Sequence, residues 1–110
     1  MAIAHVRPGE VVDVRPLGAG LTTARSVALF KSDDLELMRL VLPAGKALPT
    51  HQVAGDFVIQ CVEGTIEVAA QGKQHLLRAG QLLHLPGGVA HSVTALQDAS
   101  ALVTVALRKP

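Results

Sequence analysis

Histidine is the side chain of this sequence best suited to chemistry near neutral pH, and there are five of them. A neutral imidazole offers a lone pair to a proton or a divalent ion, and imidazoles joined by a carboxylate suit Fe, Mn, Ni, Cu or Zn. Two of the five sit where turns deliver them: His51 in the loop that runs through Pro49 to Gly55, and His91 just after Pro86-Gly87-Gly88. His84 lies between two leucines, and His5 and His75 read most simply as surface residues. Cys61 is the only cysteine, so the chain can form no internal disulfide and no thiolate cluster, and the thiol reads as a small buried hydrophobe. A nucleophilic triad has no place to form, since Ser92 follows His91 directly and would point to the opposite face of a strand. A phosphate-cradling glycine loop is missing too, and Gly87 and Gly88 are explained by the turn.

The elements that must position these histidines are strands. At 110 residues the chain forms a single domain, 1–110, with one core. Residues 1–10 read as an N-terminal arm punctuated by Pro8-Gly9. Strands are expected at 11–14, 26–31, 35–42, 57–62, 65–70, 73–77, 82–85, 89–96 and 101–107, with residues 43–55 as a loop. Gly64 and Gly72 supply the positive φ of tight hairpins, which makes the segments from Phe57 to Leu77 a three-stranded meander. Residues 35–42 are apolar on both parities, Leu35, Leu37 and Val41 on one and Met38, Leu40 and Leu42 on the other. No helical period occurs, and the result is an all-β sandwich or barrel.

Gly45, His51 and Gly64, and then Gly80, Pro86, Gly88 and His91, are spaced like the two motifs of the cupin family. The first motif occupies residues 45–64 and the second residues 80–96, and over them the chain resembles a small single-domain, RmlC-like cupin. The resemblance implies a cupin-type double-stranded β-helix, a jelly-roll barrel, with three histidines and one glutamate around a divalent metal. Two positions depart from the pattern: Val53 stands where the second histidine belongs, and Phe57 where the glutamate does. If Phe57 points inward as that glutamate would, strand alternation turns Ile59 and Cys61 inward and Val58, Gln60 and Val62 outward. The resemblance also puts Leu83 and Leu85 inside and His84 outside. The implied pocket is then His51 and His91 against an apolar wall of Val53, Phe57, Ile59, Cys61, Leu83, Leu85 and Val93. A third metal ligand would have to come from Gln60 or Asp56 through a bulge near Gly55, or from His84 by a change of face.

These readings lead to a barrel with a reduced metal site that binds a small molecule in an apolar pocket anchored by two histidines. The alternative is a metal-dependent oxygenase or isomerase that uses His51, His91 and an unorthodox third ligand. No tightly bound cofactor is expected, and any metal, whether Zn, Fe, Mn or Ni, would be weakly held. Ten basic and nine acidic residues leave no basic stripe for a phosphate backbone, and two aromatics leave no stacking platform, so nucleic acid is not a partner. The absence of Trp and Tyr also disfavours sugar stacking. No run approaches the roughly 18 to 20 apolar residues of a membrane span, and a cytoplasmic location is expected. The doubly apolar strands and the arm point to a homodimer.

Overall fold

The structure, a computed structural model, describes residues 5–107. Nine strands are placed in them: β1 (Val27–Lys31), β2 (Leu35–Leu42), β3 (Ala47–His51), β4 (Phe57–Glu63), β5 (Thr65–Ala70), β6 (Lys73–Arg78), β7 (Leu82–Leu85), β8 (His91–Ala95) and β9 (Ala99–Ala106). A five-stranded sheet runs in the order β1-β2-β9-β4-β7 and faces a four-stranded sheet ordered β3-β8-β5-β6, with every pairing antiparallel. The chain alternates between the sheets in the manner of a jelly roll, which is the fold that the motifs imply.

Period-two patterning builds the core. In β4 Phe57, Ile59 and Cys61 are buried while Val58, Gln60 and Val62 stay half-exposed, and in β5 Ile66, Val68 and Ala70 are the buried set. Val93 and Ala95 of β8 and Ala101, Val103 and Val105 of β9 complete the filling between the sheets. Medium-sized aliphatic groups suffice because two facing sheets stand only about 10 Å apart.

Five expectations are corrected. Residues 11–14 form no strand; Val11 is 96% exposed, and the segment lies between Gly9 and Pro16 without a neighbour to pair with. Residues 47–51, expected in a loop, form the edge strand β3, where Pro49, lacking an N–H, sits at the register shift between Leu48 and His51. Glu63-Gly64 is not a hairpin turn, since β4 and β5 belong to different sheets, and of the expected meander β5 and β6 alone form a hairpin. Gly64 has φ 76° there, and a Cβ on it would stand 2.1 Å from the Asp98 carbonyl oxygen, so glycine lets the chain cross from sheet to sheet against the β8–β9 turn. The strand expected at 89–96 begins only at His91, while the last strand begins earlier than expected, at Ala99.

Residues 1–4 of the expected arm lie outside the described residues. Val6 donates its N–H to the Leu29 carbonyl at 2.9 Å, which lays the following segment along β1. A short 3-10 turn, Gly18–Thr23, comes next, and no described helix is long and apolar enough to cross a membrane. The segment is fastened to the sheet at two points. Arg39, buried on the outer face of β2, donates from Nη2 to the Arg15 carbonyl at 2.9 Å. The Glu63 carboxylate accepts the N–H groups of Leu17 at 2.9 Å and Gly18 at 3.0 Å together with the Ser100 hydroxyl.

Burial alone would raise the pKa of Glu63, but these three donors and the Arg39 charge outweigh it and hold the carboxyl below its ordinary 4.5. A depressed carboxylate contributes stability that is complete above its unfolded value and is lost as pH falls through the folded one. Glu63→Gln should therefore lower stability by about 1–2 kcal/mol at pH 7 and flatten the acid limb of the stability curve. Urea melts of both proteins at a series of pH values below neutrality check this, and parallel acid limbs would contradict it.

Candidate functional site

Between the two sheets, at the end where β3 and the 52–56 loop meet β9, a cavity of about 400 Å³ opens. That volume falls within the roughly 300–1,000 Å³ of small-molecule sites. Met38 and Leu40 of β2 and Val103 and Val105 of β9 form one wall; Leu48, Val93, His51 and His91 form the other. Val53 and Ala54 close it from the loop, Phe57 lies within it, and Leu107 and Ala106 border it. Glu36 is the only carboxylate in the lining.

Strand register explains how His51 and His91 come together. They are direct partners across the β3–β8 ladder, so their side chains share a face, and the ring centroids are 4.6 Å apart at 58°. Phe57 reaches the same point from the other sheet and packs on His91 with centroids 4.2 Å apart at 34°. His91 is 1% exposed. Its Nδ1 lies 3.1 Å from the Val89 carbonyl, which can only accept, so Nδ1 carries the proton and Nε2 keeps the lone pair. That Nε2 is buried without a partner. His51, in contrast, is exposed at the end of its strand.

Of the nine pocket residues expected from the sequence, His51, Val53, Phe57, His91 and Val93 line the cavity. Ile59, Cys61, Leu83 and Leu85 do not. They point between the sheets, but Ile59 and Leu83 lie one row deeper and Cys61 two, while Leu85 shares the row of Phe57 on the far side of it from the cavity; Ile59, Cys61 and Leu85 are sealed in the core and Leu83 packs against it. Alternation assigns a face, and depth along the barrel is set separately by register. Burial pushes the Cys61 thiol up, so it is held in the unreactive form.

The three candidates for a further metal ligand also lie elsewhere. Gln60 faces outward beside Leu82 and Leu102. His84 is on the outer face of β7, its Nε2 3.4 Å from Asp56, and the other Asp56 oxygen accepts the Gly87 N–H at 3.3 Å. No bulge near Gly55 turns Asp56 inward: its carboxylate is half-exposed and engaged with His84 and the Gly87 N–H. Among the described residues no three His, Cys, Asp or Glu side chains gather as a metal site would require. Two imidazoles fall short of the usual three protein donors, and the residues present do not fit a tightly held divalent ion.

Sequence reasoning missed Glu36, Met38, Leu40, Leu48, Val103 and Val105 as lining residues. The signal for three of them was in hand, since Met38 and Leu40 share a parity and extending it by one step reaches Glu36.

An antiparallel jelly roll whose end cavity holds paired histidines is the architecture of a cupin. The chain belongs to that family: the family model described as "Cupin domain" matches residues 38–107, more than half its length. Solved structures agree on the fold. A cupin superfamily protein from Desulfitobacterium hafniense superposes with a TM-score of 0.77 at 16% identity, covering 94% of this chain and 100% of that one. An RmlC-like cupin from Shewanella frigidimarina gives 0.73 at 20% identity, with 97% and 94% covered. Salicylate 1,2-dioxygenase from Pseudoaminobacter salicylatoxidans, a G106A mutant in complex with gentisate, gives 0.66 at 22% identity, covering 73% of this chain and 24% of that one. No curated protein matches the chain by sequence.

The cavity end depends on close backbone approach. A Cβ on Gly87 would stand 2.1 Å from the Ala54 carbonyl oxygen, and one on Gly55 would stand 1.8 Å from that of Ala106. Both obstacles are backbone and cannot swing aside. Gly87→Ala should therefore cost about 2–3 kcal/mol and open the 52–56 loop. Chemical denaturation compared with amide exchange at Val53 and Ala54 checks both effects; an unchanged midpoint would show that the loop yields freely.

Proposed function

We propose that the protein binds a small, largely apolar molecule in the cavity, as a cupin barrel whose metal site is reduced. The observation that carries this is the cavity itself: eleven of its fourteen lining residues are apolar, and His51, His91 and Glu36 are the remainder. An apolar hollow of about 400 Å³ rewards a ligand with dispersion and desolvation. His51 is the histidine such a ligand meets first, with His91 behind it. A cytoplasmic setting belongs to the same proposal.

Thermal-shift screening with small aromatic and aliphatic compounds tests the reading, with Val105→Phe as control. Val105 lies between Glu36 and Phe57 in the register, so a phenyl group there fills the cavity from its middle. The expected result is hits on the native protein that vanish in Val105→Phe while circular dichroism stays the same. Hits that persist in the variant would place binding elsewhere.

The second reading is the metal-dependent oxygenase or isomerase, and one observation favours it: the buried, unpartnered Nε2 of His91 beside the His51 ring. The donor count weighs against it. Elemental analysis of tag-free protein should give well under one divalent ion per chain, whereas Val53→His/Phe57→Glu, which restores an imidazole and a carboxylate, should take up Zn, Ni or Mn stoichiometrically. Stoichiometric Fe or Mn in the native protein, lost in His91→Ala, would favour the enzyme.

A homodimer is part of this proposal. The outer face of the five-stranded sheet presents Leu37, Val41, Leu102 and Val58 half-exposed, with Leu35 and Leu82 at its margins 41% and 60% exposed. A second copy is the partner that would cover them. Light scattering at micromolar concentration should return twice the chain mass, and Leu82→Glu with Leu102→Glu should return the single mass.

A further inference from the structure

We infer that the cavity selects a ligand with an apolar body and a cationic, amine-type end, and that Glu36 is the residue that makes the selection. This rests on the reading of the cavity as a small-molecule site. The lining contains one carboxylate and, among the described residues, no lysine or arginine. The ion pairs among those residues are Arg15 with Asp13 and His84 with Asp56, and neither involves Glu36. Lys31 is the cross-strand partner of Glu36 on the edge strand β1, yet it is exposed and outside the lining. A carboxylate ligand would meet Glu36 with no lysine or arginine in the wall, among the described residues, to neutralise either charge. An ammonium group would meet a ready acceptor in a partly desolvated setting, where such a bond is strong.

Register also gives the length of the molecule. Glu36 pairs with Val105, and Val105 pairs with Phe57, so Glu36 and Phe57 occupy one row of the sheet with a single strand between them. Two interstrand spacings amount to roughly 10 Å. An aromatic or branched apolar group resting against Phe57 and His51 therefore reaches Glu36 through a linker of a few methylenes. Met38 and Val105 supply the walls along the way.

The probes are phenylbutylamine, phenylbutanol and phenylbutyrate, which share one skeleton and differ in the terminal group. Binding is measured by calorimetry at pH 7.5 on the native protein, Glu36→Gln and the cavity-filled Val105→Phe. The amine should bind roughly tenfold tighter than the alcohol, with the carboxylate weakest, and Glu36→Gln should bring the amine level with the alcohol. Glu36 is half-exposed near the end of its strand, so the glutamine variant should fold normally. If the carboxylate binds as well as the amine, or the order survives in Glu36→Gln, the selection by Glu36 is overturned while the cavity reading stands. If no probe binds the native protein, the cavity reading fails and the inference falls with it.

Discussion

The packing of Phe57 on His91 is the contact on which the rest of the site depends, because the two rings come from different sheets. Phe57 opens β4 and His91 opens β8, so their stack ties the sheets together at the floor of the cavity. Burying a phenyl ring is worth about 2–3 kcal/mol, and an orphaned buried imidazole nitrogen costs about 1–3 kcal/mol. The two nearly offset. Where a carboxylate would demand a cation, Phe57 demands only a neighbour, and His91 supplies it while the Val89 carbonyl satisfies its other nitrogen. The barrel is thereby closed by dispersion at the place where the family pattern puts coordination.

The fold was legible in the sequence chiefly through its turns. Gly45, Gly64, Gly80 and Gly88, the motif glycines, all adopt positive φ, which is why their spacing carries so much architectural information. The inward set of β4 followed from alternation. What could not be read locally was which strands share a sheet: Gly64 looks like a hairpin glycine because a crossover and a hairpin make the same demand on φ. Pro49 hid β3 for a similar reason, since proline excludes a central strand but not an edge one. In the site, His51 and His91 were legible, yet the cavity wall was drawn too deep along β4 and one strand too far, onto β7. Its true second wall comes from β2 and β9, whose register with β4 is a long-range fact.

The N-terminal segment shows how a crossover can do a second task. Glu63 ends β4 just before the chain changes sheets, opposite Ser100 of β9, and its carboxylate collects the N–H groups of Leu17 and Gly18 together with the Ser100 hydroxyl. Arg39, one strand beyond β9, holds Arg15 in the same way. A stretch that is mostly exposed and has little regular structure is thus located by one acid and one base on the barrel surface, with few apolar contacts needed.

The cavity itself follows from composition. Two facing sheets are kept about 10 Å apart by their own backbones, and side chains must fill the gap. With only two aromatic residues in 110, this chain has few groups large enough to do so, and one of them, Phe30, pairs beside the outward-facing Leu37 on β1. Deeper in the barrel Ile59, Ile66 and Val68 are wholly buried and close the space. At the open end Val93, Val105, Ala54 and Ala106 line the space without filling it. A single phenyl at position 57 fills the floor and leaves the rest. The hollow is therefore a consequence of small side chains on rigid walls, and its chemistry is set by the few polar groups that the register happens to place there, which are His51 and His91 on one sheet and Glu36 on the other.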